Sequence, residues 1–506
     1  MISGAYIVVV LGILLAKGVG FLRDMIFAGV FGTSVESDIY FQVFGLVNLI
    51  FTGIGVALST LVIKNLNKSE NVGAEQSYAA SFLRKSALCM TAFSVLIAVF
   101  AKPIISLILP DISGESLELA VKMMYAMAPC LVFSVVAYII SGILQNKKVY
   151  FITSVMSLPF NVAIIISLLV KNVSVFTVGI VTTIGWFLHI AIQLPAFFKN
   201  GYSFLTPVDK RVKKQGISGE MIWIFISNMM FQACVYIDRA FVNSTEGMVS
   251  IFNYASNLFI TIASVFVIAM STVIFPSISK NYEEGNIEYV KKTVSHILVI
   301  MSAIFIPFVL VTFCFGEDVI RLLYERGTFT SESTKGVALM FALYSLGVLG
   351  YVCQELLNKV LYLAEKYKYT VFGTLGVIAL NVVLNVAIKN FVSSDALLLG
   401  LPIKTVLTAL STAVLFTAYG LFVVLSIQKA IGKYLTGATL INILKVLFSG
   451  VAALVVYILF NTFAKGFTHG YISFIIVLLA CGVTYGATLL LTGVFKELLK
   501  VKKDEN

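Results

Sequence analysis

Residues 293–316 read TVSHILVIMSAIFIPFVLVTFCFG, a run with no lysine, arginine, aspartate or glutamate. At about 1.5 Å per residue, a helix through it covers the roughly 30 Å hydrocarbon core of a bilayer. A strand of a membrane barrel would alternate apolar and polar positions, and this run is continuous. It reads as a membrane-spanning helix, and runs of the same kind recur along the chain. Bounded by charge or turn residues, they occupy 4–30, 38–63, 80–104, 118–144, 149–170, 173–198, 217–242, 250–276, 293–316, 336–363, 369–389, 397–427, 440–463 and 471–495. The expected fold is an all-α polytopic membrane protein of about 14 transmembrane helices.

Composition agrees. Of 506 residues, 59% are hydrophobic and 12% charged, and mean hydropathy is +0.98. A soluble domain carries about 45–50% apolar and about 25% charged residues. A soluble enzyme, a secreted disulfide scaffold and a disordered chain are excluded. The six cysteines lie singly in apolar runs without metal spacing, and read as small core residues. No nucleotide loop, catalytic carboxylate pair or nucleophile–base signature stands out. The expected class is a transporter, not an enzyme, with no resident cofactor beyond a coupling or structural ion.

The net charge of +11 is explained by the positive-inside rule, not by nucleic-acid binding. Fourteen spans put both termini on one side. If that side is cytoplasmic, the inner loops hold 22 lysines and arginines, and the outer loops hold 7: Arg23, Lys171, Arg321, Arg326, Lys335, Lys389 and Lys465. That bias places both termini in the cytoplasm. The start, Met-Ile-Ser-Gly, lacks a basic n-region and reads as a retained first span.

An internal repeat organises the spans. Ala57-Leu58-Ser59-Thr60-Leu61-Val62 closes the second, and Ala269-Met270-Ser271-Thr272-Val273-Ile274 closes the eighth, an offset of 212 (269 − 57). Arg23-Asp24 and Asp238-Arg239 sit near the ends of the first and seventh spans at a similar offset, 216 (239 − 23). Six spans separate the copies, so both have the same orientation, as in transporters built from parallel repeats. The expected organisation is an N-lobe over 1–200, a basic linker over 201–216, a C-lobe over 217–430, and a C-terminal helix pair with a basic tail over 431–506.

Charges within spans are costly unless they face a cavity or a partner. Lys17 lies among Gly12, Gly18 and Gly20, and the expectation is that it faces a central cavity. Arg23 and Asp24 lie further out and Asp38 opens the second span. They make either an interfacial ion pair or a polar mouth, where an arginine fork suits phosphate. Arg239, with Asn257 on the eighth span, is taken as part of the same substrate site. Asp238 points about 100° away from Arg239 and needs a cation or a donor. Asn381 and Asn385, four residues apart, and Thr405 are the candidates; such oxygen ligands suit Na⁺, and interhelical hydrogen bonding is the plainer alternative. Glu355 is a lone acid in the tenth span, either satisfied within the bundle or part of a relay.

Gly20-Phe21-Leu22-Arg23-Asp24, then Phe31-Gly32, then Asp38, resembles the start of the MurJ (MviN) family of lipid II flippases. Asn253-Tyr254-Ala255, the run Ser271 to Lys280 with Pro276, Arg326-Gly327-Thr328-Phe329 and the segment Asn381 to Asn385 also fit, in order, to about residue 390. The resemblance implies fourteen spans, two lobes and an extra helix pair, within a superfamily of multidrug and polysaccharide exporters. It implies a bacterial inner-membrane flippase for a polyprenyl-diphosphate-linked saccharide, most simply lipid II, working as a monomer among membrane lipids and the cell-wall synthesis machinery. A Wzx-type flippase for other lipid-linked sugars and a cation-coupled drug exporter remain alternatives. The chain departs from the family pattern in its basic positions. Lys17 stands for the usual arginine, Phe51, Thr52 and Val56 for an Arg-Arg pair and a glutamate, and Asn257 and Ile260 for an arginine and a glutamate.

Overall fold

The computed structural model describes residues 4–67, 71–207, 219–392, 396–398, 400–463 and 471–495. Almost all are helical, and each of the fourteen apolar runs falls on a helix or on a stack of broken helices. Among the described residues ten helices are long and apolar enough to cross a membrane. The pair Ser331–Ser345 and Val348–Leu363, bent by 57°, makes an eleventh.

The breaks have local causes. Pro129, which has no N–H to give, separates Gly114–Met127 from Cys130–Asn146. The bend after Ser345 lies where the chain packs directly on the helix Ile403–Ile431: a side chain at Gly350 would collide with the Phe416 carbonyl. Small residues buy this approach in membrane bundles. The π-turn Cys353–Leu357 follows at once.

One boundary differs from the sequence reading. The run beginning at 397 does not start as helix: Leu397–Leu398 pairs antiparallel with Leu401–Pro402 around Gly400, and the helix begins at Ile403. Gly400 has φ +84°, which costs a glycine little. The basic residues Lys210, Arg211, Lys213 and Lys214 of the expected linker lie outside the described residues, as does the tail beyond 495.

The outer surface carries an apolar belt. Leu107, Leu169, Phe372, Leu421, Leu479 and Val483 are all more than 60% exposed. So large an apolar surface marks contact with lipid. Of the last two helices, Gly437–Phe463 and Tyr471–Leu491, the second is the least enclosed of the candidate spans among the described residues. They attach to the helix Ile287–Tyr324 through a small cluster of Val299, Ala303, Val446 and Leu489. Tyr457 and Tyr485 add hydrogen bonds to the Cys314 and Ala303 carbonyls.

The two halves meet mainly through the helices Gly4–Phe31 and Val35–Leu66 on one side and Gly219–Asn228, Met230–Val242 and Met248–Glu283 on the other. Asp38 bonds Ser250, an offset of 212 (250 − 38). Equivalent residues touching one another is what a pseudo-twofold axis between repeats produces.

Candidate functional site: an interlobe cavity and a buried carboxylate

Between the halves lies a small cavity of about 70 Å³, lined by residues of four helices. Arg23, Asp24 and Phe27 come from the first, and Tyr40, Phe41, Phe44, Gly45 and Asn48 from the second. The helix Met230–Val242 brings Gln232, Tyr236 and Arg239, and Met248–Glu283 brings Asn253 and Asn257. Spacing explains the last two groups: Tyr236 and Arg239 are i,i+3 and Asn253 and Asn257 are i,i+4, each pair on one helical face.

The two arginines differ. Arg23 is largely satisfied: Nε and Nη2 donate to Asp24 Oδ1 at 3.0 and 2.6 Å, and Nη1 donates to Asn161 Oδ1 at 3.0 Å. Its guanidinium also lies over the Phe160 ring, 5.5 Å from the centroid. Arg239 is 7% exposed. Its Nη2 reaches only Ser256 Oγ, at 3.3 Å, and its Nε has no partner. The Tyr236 hydroxyl and Asn253 Nδ2 are likewise buried without a partner. A buried donor left unpaired costs about 1–3 kcal/mol. Three of them around one cavity make a site short of an acceptor.

Lys17 does not line this cavity. Its ammonium crosses between the halves to Ser264 Oγ at 2.8 Å and lies within electrostatic reach of Glu355. Glu355, in the π-turn, also faces Lys359, whose Nζ donates to Ser271 Oγ at 2.7 Å. Asp38 is not in the cavity either. It caps a helix of the other half, accepting from Gly247 N and Ser250 N, both at 2.7 Å, and from Ser250 Oγ. A carboxylate there satisfies orphan N–H groups and complements the helix dipole. Gly247, with φ +79°, packs against the Thr33 carbonyl, and a Cβ would come within 2.6 Å of it. Tyr254 Oη to the Gly32 carbonyl and Thr328 N to the Gly29 carbonyl add further bonds. This end of the interface is closed.

Asp238, next to Arg239, faces the other way into the C-terminal half and is fully buried. Oδ1 accepts from Asn381 Nδ2 at 3.0 Å and Asn385 Nδ2 at 3.1 Å, Oδ2 from Tyr344 Oη at 3.0 Å, and the Thr412 hydroxyl reaches both oxygens at 2.9 and 2.8 Å. The expected partner Thr405 is replaced by Thr412, seven residues or two turns further along the same face. Lys404, beside Thr405, points away and bonds the Lys389 carbonyl at 3.0 Å. The side-chain oxygens of Asn381 and Asn385 have no partner. As placed, both amides turn their N–H groups to the carboxylate; the carboxylate, the hydroxyls and the amide oxygens are oxygen groups of the kind a hard monovalent cation takes. No cluster of three His, Cys, Asp or Glu occurs among the described residues, so a transition-metal centre has no support there.

Of the departures from the family pattern, Asn257 lines the cavity and Ile260 packs nearby in the core. The side chains of Phe51, Thr52 and Val56 lie outside the described ones. Sequence reasoning did not single out Tyr236, Gln232 or Asn48. The i,i+3 spacing of Tyr236 to Arg239 was the available signal.

Two halves meeting at a polar cavity inside a lipid-facing bundle define a multi-pass membrane transporter. Solved structures share this fold. One titled lipid II flippase MurJ, inward closed conformation, matches with a TM-score of 0.77 at 20% identity, over 97% of this chain and 99% of that one. An inward-facing multidrug transporter of the MATE family matches with a TM-score of 0.60 at 15% identity, over 83% and 98%. The family model described as lipid II flippase MurJ matches residues 27–479, and the chain belongs to that family. Among relatives, the lipid II flippase MurJ of Burkholderia cenocepacia is 22% identical over 78% of this chain and 80% of its own length. The probable lipid II flippase MurJ of Thermotoga maritima is 24% identical over 84% and 85%.

Proposed function

We propose that the chain carries lipid II, a polyprenyl-diphosphate-linked saccharide, from the cytoplasmic to the outer leaflet for peptidoglycan synthesis. The observation that carries this reading is the unpartnered set of Arg239 Nε, Asn253 Nδ2 and Tyr236 Oη around a cavity shared with Arg23. Such donors suit a diphosphate, whose oxygens accept only. The substrate residues are Arg23, Asp24, Arg239 and Asn257 at the cavity, with Lys17 and Asp38 at contacts that hold the halves together.

A cavity of about 70 Å³ has room for a few waters, not a saccharide. Transport therefore requires the halves to part. The closed end, stitched by Asp38 and the 29–33 turn, opens toward the outer leaflet, while the end carrying Lys17 and Glu355 opens toward the cytoplasm. Both termini are cytoplasmic in this reading. The peripheral helix pair keeps the lipid tail in hydrocarbon while the head crosses. The chain acts as a monomer, supplied by the cell-wall synthesis machinery in a bacterial inner membrane. It has no enzymatic step to perform.

Na⁺ at Asp238, Asn381, Asn385 and Thr412 serves as the coupling or structural ion. Thermal stability in Na⁺ against choline at equal ionic strength tests this: bound cation raises the melting point by mass action, and Asp238→Asn removes the shift. Equal curves would leave these residues as interhelical bonding alone. Complementation tests the substrate. The chain sustains growth after depletion of a host's lipid II flippase; growth only after loss of a capsule flippase would transfer it to other lipid-linked sugars.

A further inference from the structure

A second cavity, about 510 Å³ in volume, lies away from the interface between the halves. It is formed where the helix Ile287–Tyr324 begins and where the connection 432–436 leads into the helix Gly437–Phe463. Lys291, Lys292 and Lys433 line it with one acid, Glu288, and with the hydroxyls or amides of Ser295, Thr436, Thr439 and Asn442 among others. Lys291 Nζ is held by Glu288 at 2.6 Å and lies against Gly432. Ser295 Oγ donates to the Tyr434 carbonyl, fixing the connection onto the helix. Thr436 caps the start of the next helix, its Oγ1 accepting from Thr439 N at 3.2 Å.

The depth of this cavity in the bilayer follows from length. The helix Ile287–Tyr324 has 38 residues, about 57 Å at 1.5 Å each, so its first turns project beyond a hydrocarbon core of roughly 30 Å. The cavity sits at headgroup level. One residue past Thr439 an apolar column begins on the same helix: Leu440, Leu444 and Leu447 are 52%, 62% and 45% exposed. A basic, hydroxyl-lined cleft thus opens directly onto a lipid-facing apolar strip. A soluble anion would use the first and have no use for the second.

We infer that this cleft is a binding site for the phosphodiester headgroup of an anionic phospholipid, its acyl chain lying along Leu440, Leu444 and Leu447. Basic pockets between helices at a membrane surface bind such headgroups, and the volume falls in the range of small-molecule sites. The lipid sits at the joint between the core and the peripheral helix pair.

The test uses the purified full chain in neutral detergent, with phosphatidylglycerol or phosphatidylcholine added at equal mole fraction and thermal unfolding as the readout. Phosphatidylglycerol raises the melting point more than phosphatidylcholine does. The variant K291Q/K292Q/K433Q loses more than half of that difference. K291R/K292R/K433R keeps it, which shows that loss is not misfolding. A control of equal charge change elsewhere, K280Q/K366Q/K368Q, keeps it too. The inference is overturned if the control loses the shift as fully as the cleft variant, if the two lipids act alike, or if inorganic phosphate at the same concentration reproduces it.

Discussion

Asp238 and Arg239 are neighbours in sequence and opposites in circumstance. Asp238 is fully buried and accepts from Tyr344, Asn381, Asn385 and Thr412. Arg239 is nearly as buried and has one long bond, to Ser256. Consecutive helix positions point about 100° apart, so one faces the interior of its own half and the other the joint between halves. Charge in the first setting is satisfied by donors supplied along with the fold. In the second, satisfaction is left to whatever enters the cavity. A buried group with its partners in place speaks for stability or a small ion; one without speaks for a ligand.

The contrast is sharpest under deletion. Asp238→Ala takes the acceptor from Tyr344, Asn385 and Thr412, while Asn381 Nδ2 keeps Thr412 Oγ1, at about 1–3 kcal/mol for each donor left unpaired. Expression and thermal unfolding should show a severe loss, and a variant as stable as wild type would erase the distinction. Arg239→Gln should do the reverse: little change in melting, but loss of complementation. At an effective dielectric of roughly 20 a charge pair at 4 Å is worth about 4 kcal/mol, about a thousandfold in affinity. Arg23→Ala should cost less, because Asp24 already holds that guanidinium.

Asp38→Asn probes the closed end. Asparagine keeps one acceptor but loses the negative charge at the Gly247–Ser250 helix start, at about 0.3–1 kcal/mol. Cysteine placed at Asn253 should then label faster; unchanged labelling would mean that this cap does not hold the halves. The smallest effect belongs to Arg321, partly exposed and shared among Glu317, Asp318 and Glu325. Surface pairs are worth about 0–1 kcal/mol, so Arg321→Ala should complement fully. Lys17→Arg should also be mild, since an arginine still reaches Ser264 and keeps the charge.

Much of this was legible in the sequence. The apolar runs gave the class and the helix positions, because a bilayer demands continuous apolar length whatever the neighbours are. The repeat offset of 212 was legible too, but that Asp38 and Ser250, which stand at that offset, touch across the interface was not. Arg23, Asp24, Arg239 and Asn257 could be named as polar residues needing a cavity, and Asp238, Asn381 and Asn385 as a group needing one another. The sequence could not choose Thr412 over Thr405, since both lie on one helical face and only helix depth in the bundle selects between them. Nor could it place Lys17 at a serine across the interface instead of in the cavity. It read Arg23 and Arg239 as equals, because the partners that separate them, Asp24 and Asn161 for one and Ser256 alone for the other, are set only by how the helices pack. Residue type and spacing determine which side chains must leave the lipid; which of them find partners is decided only when distant helices pack.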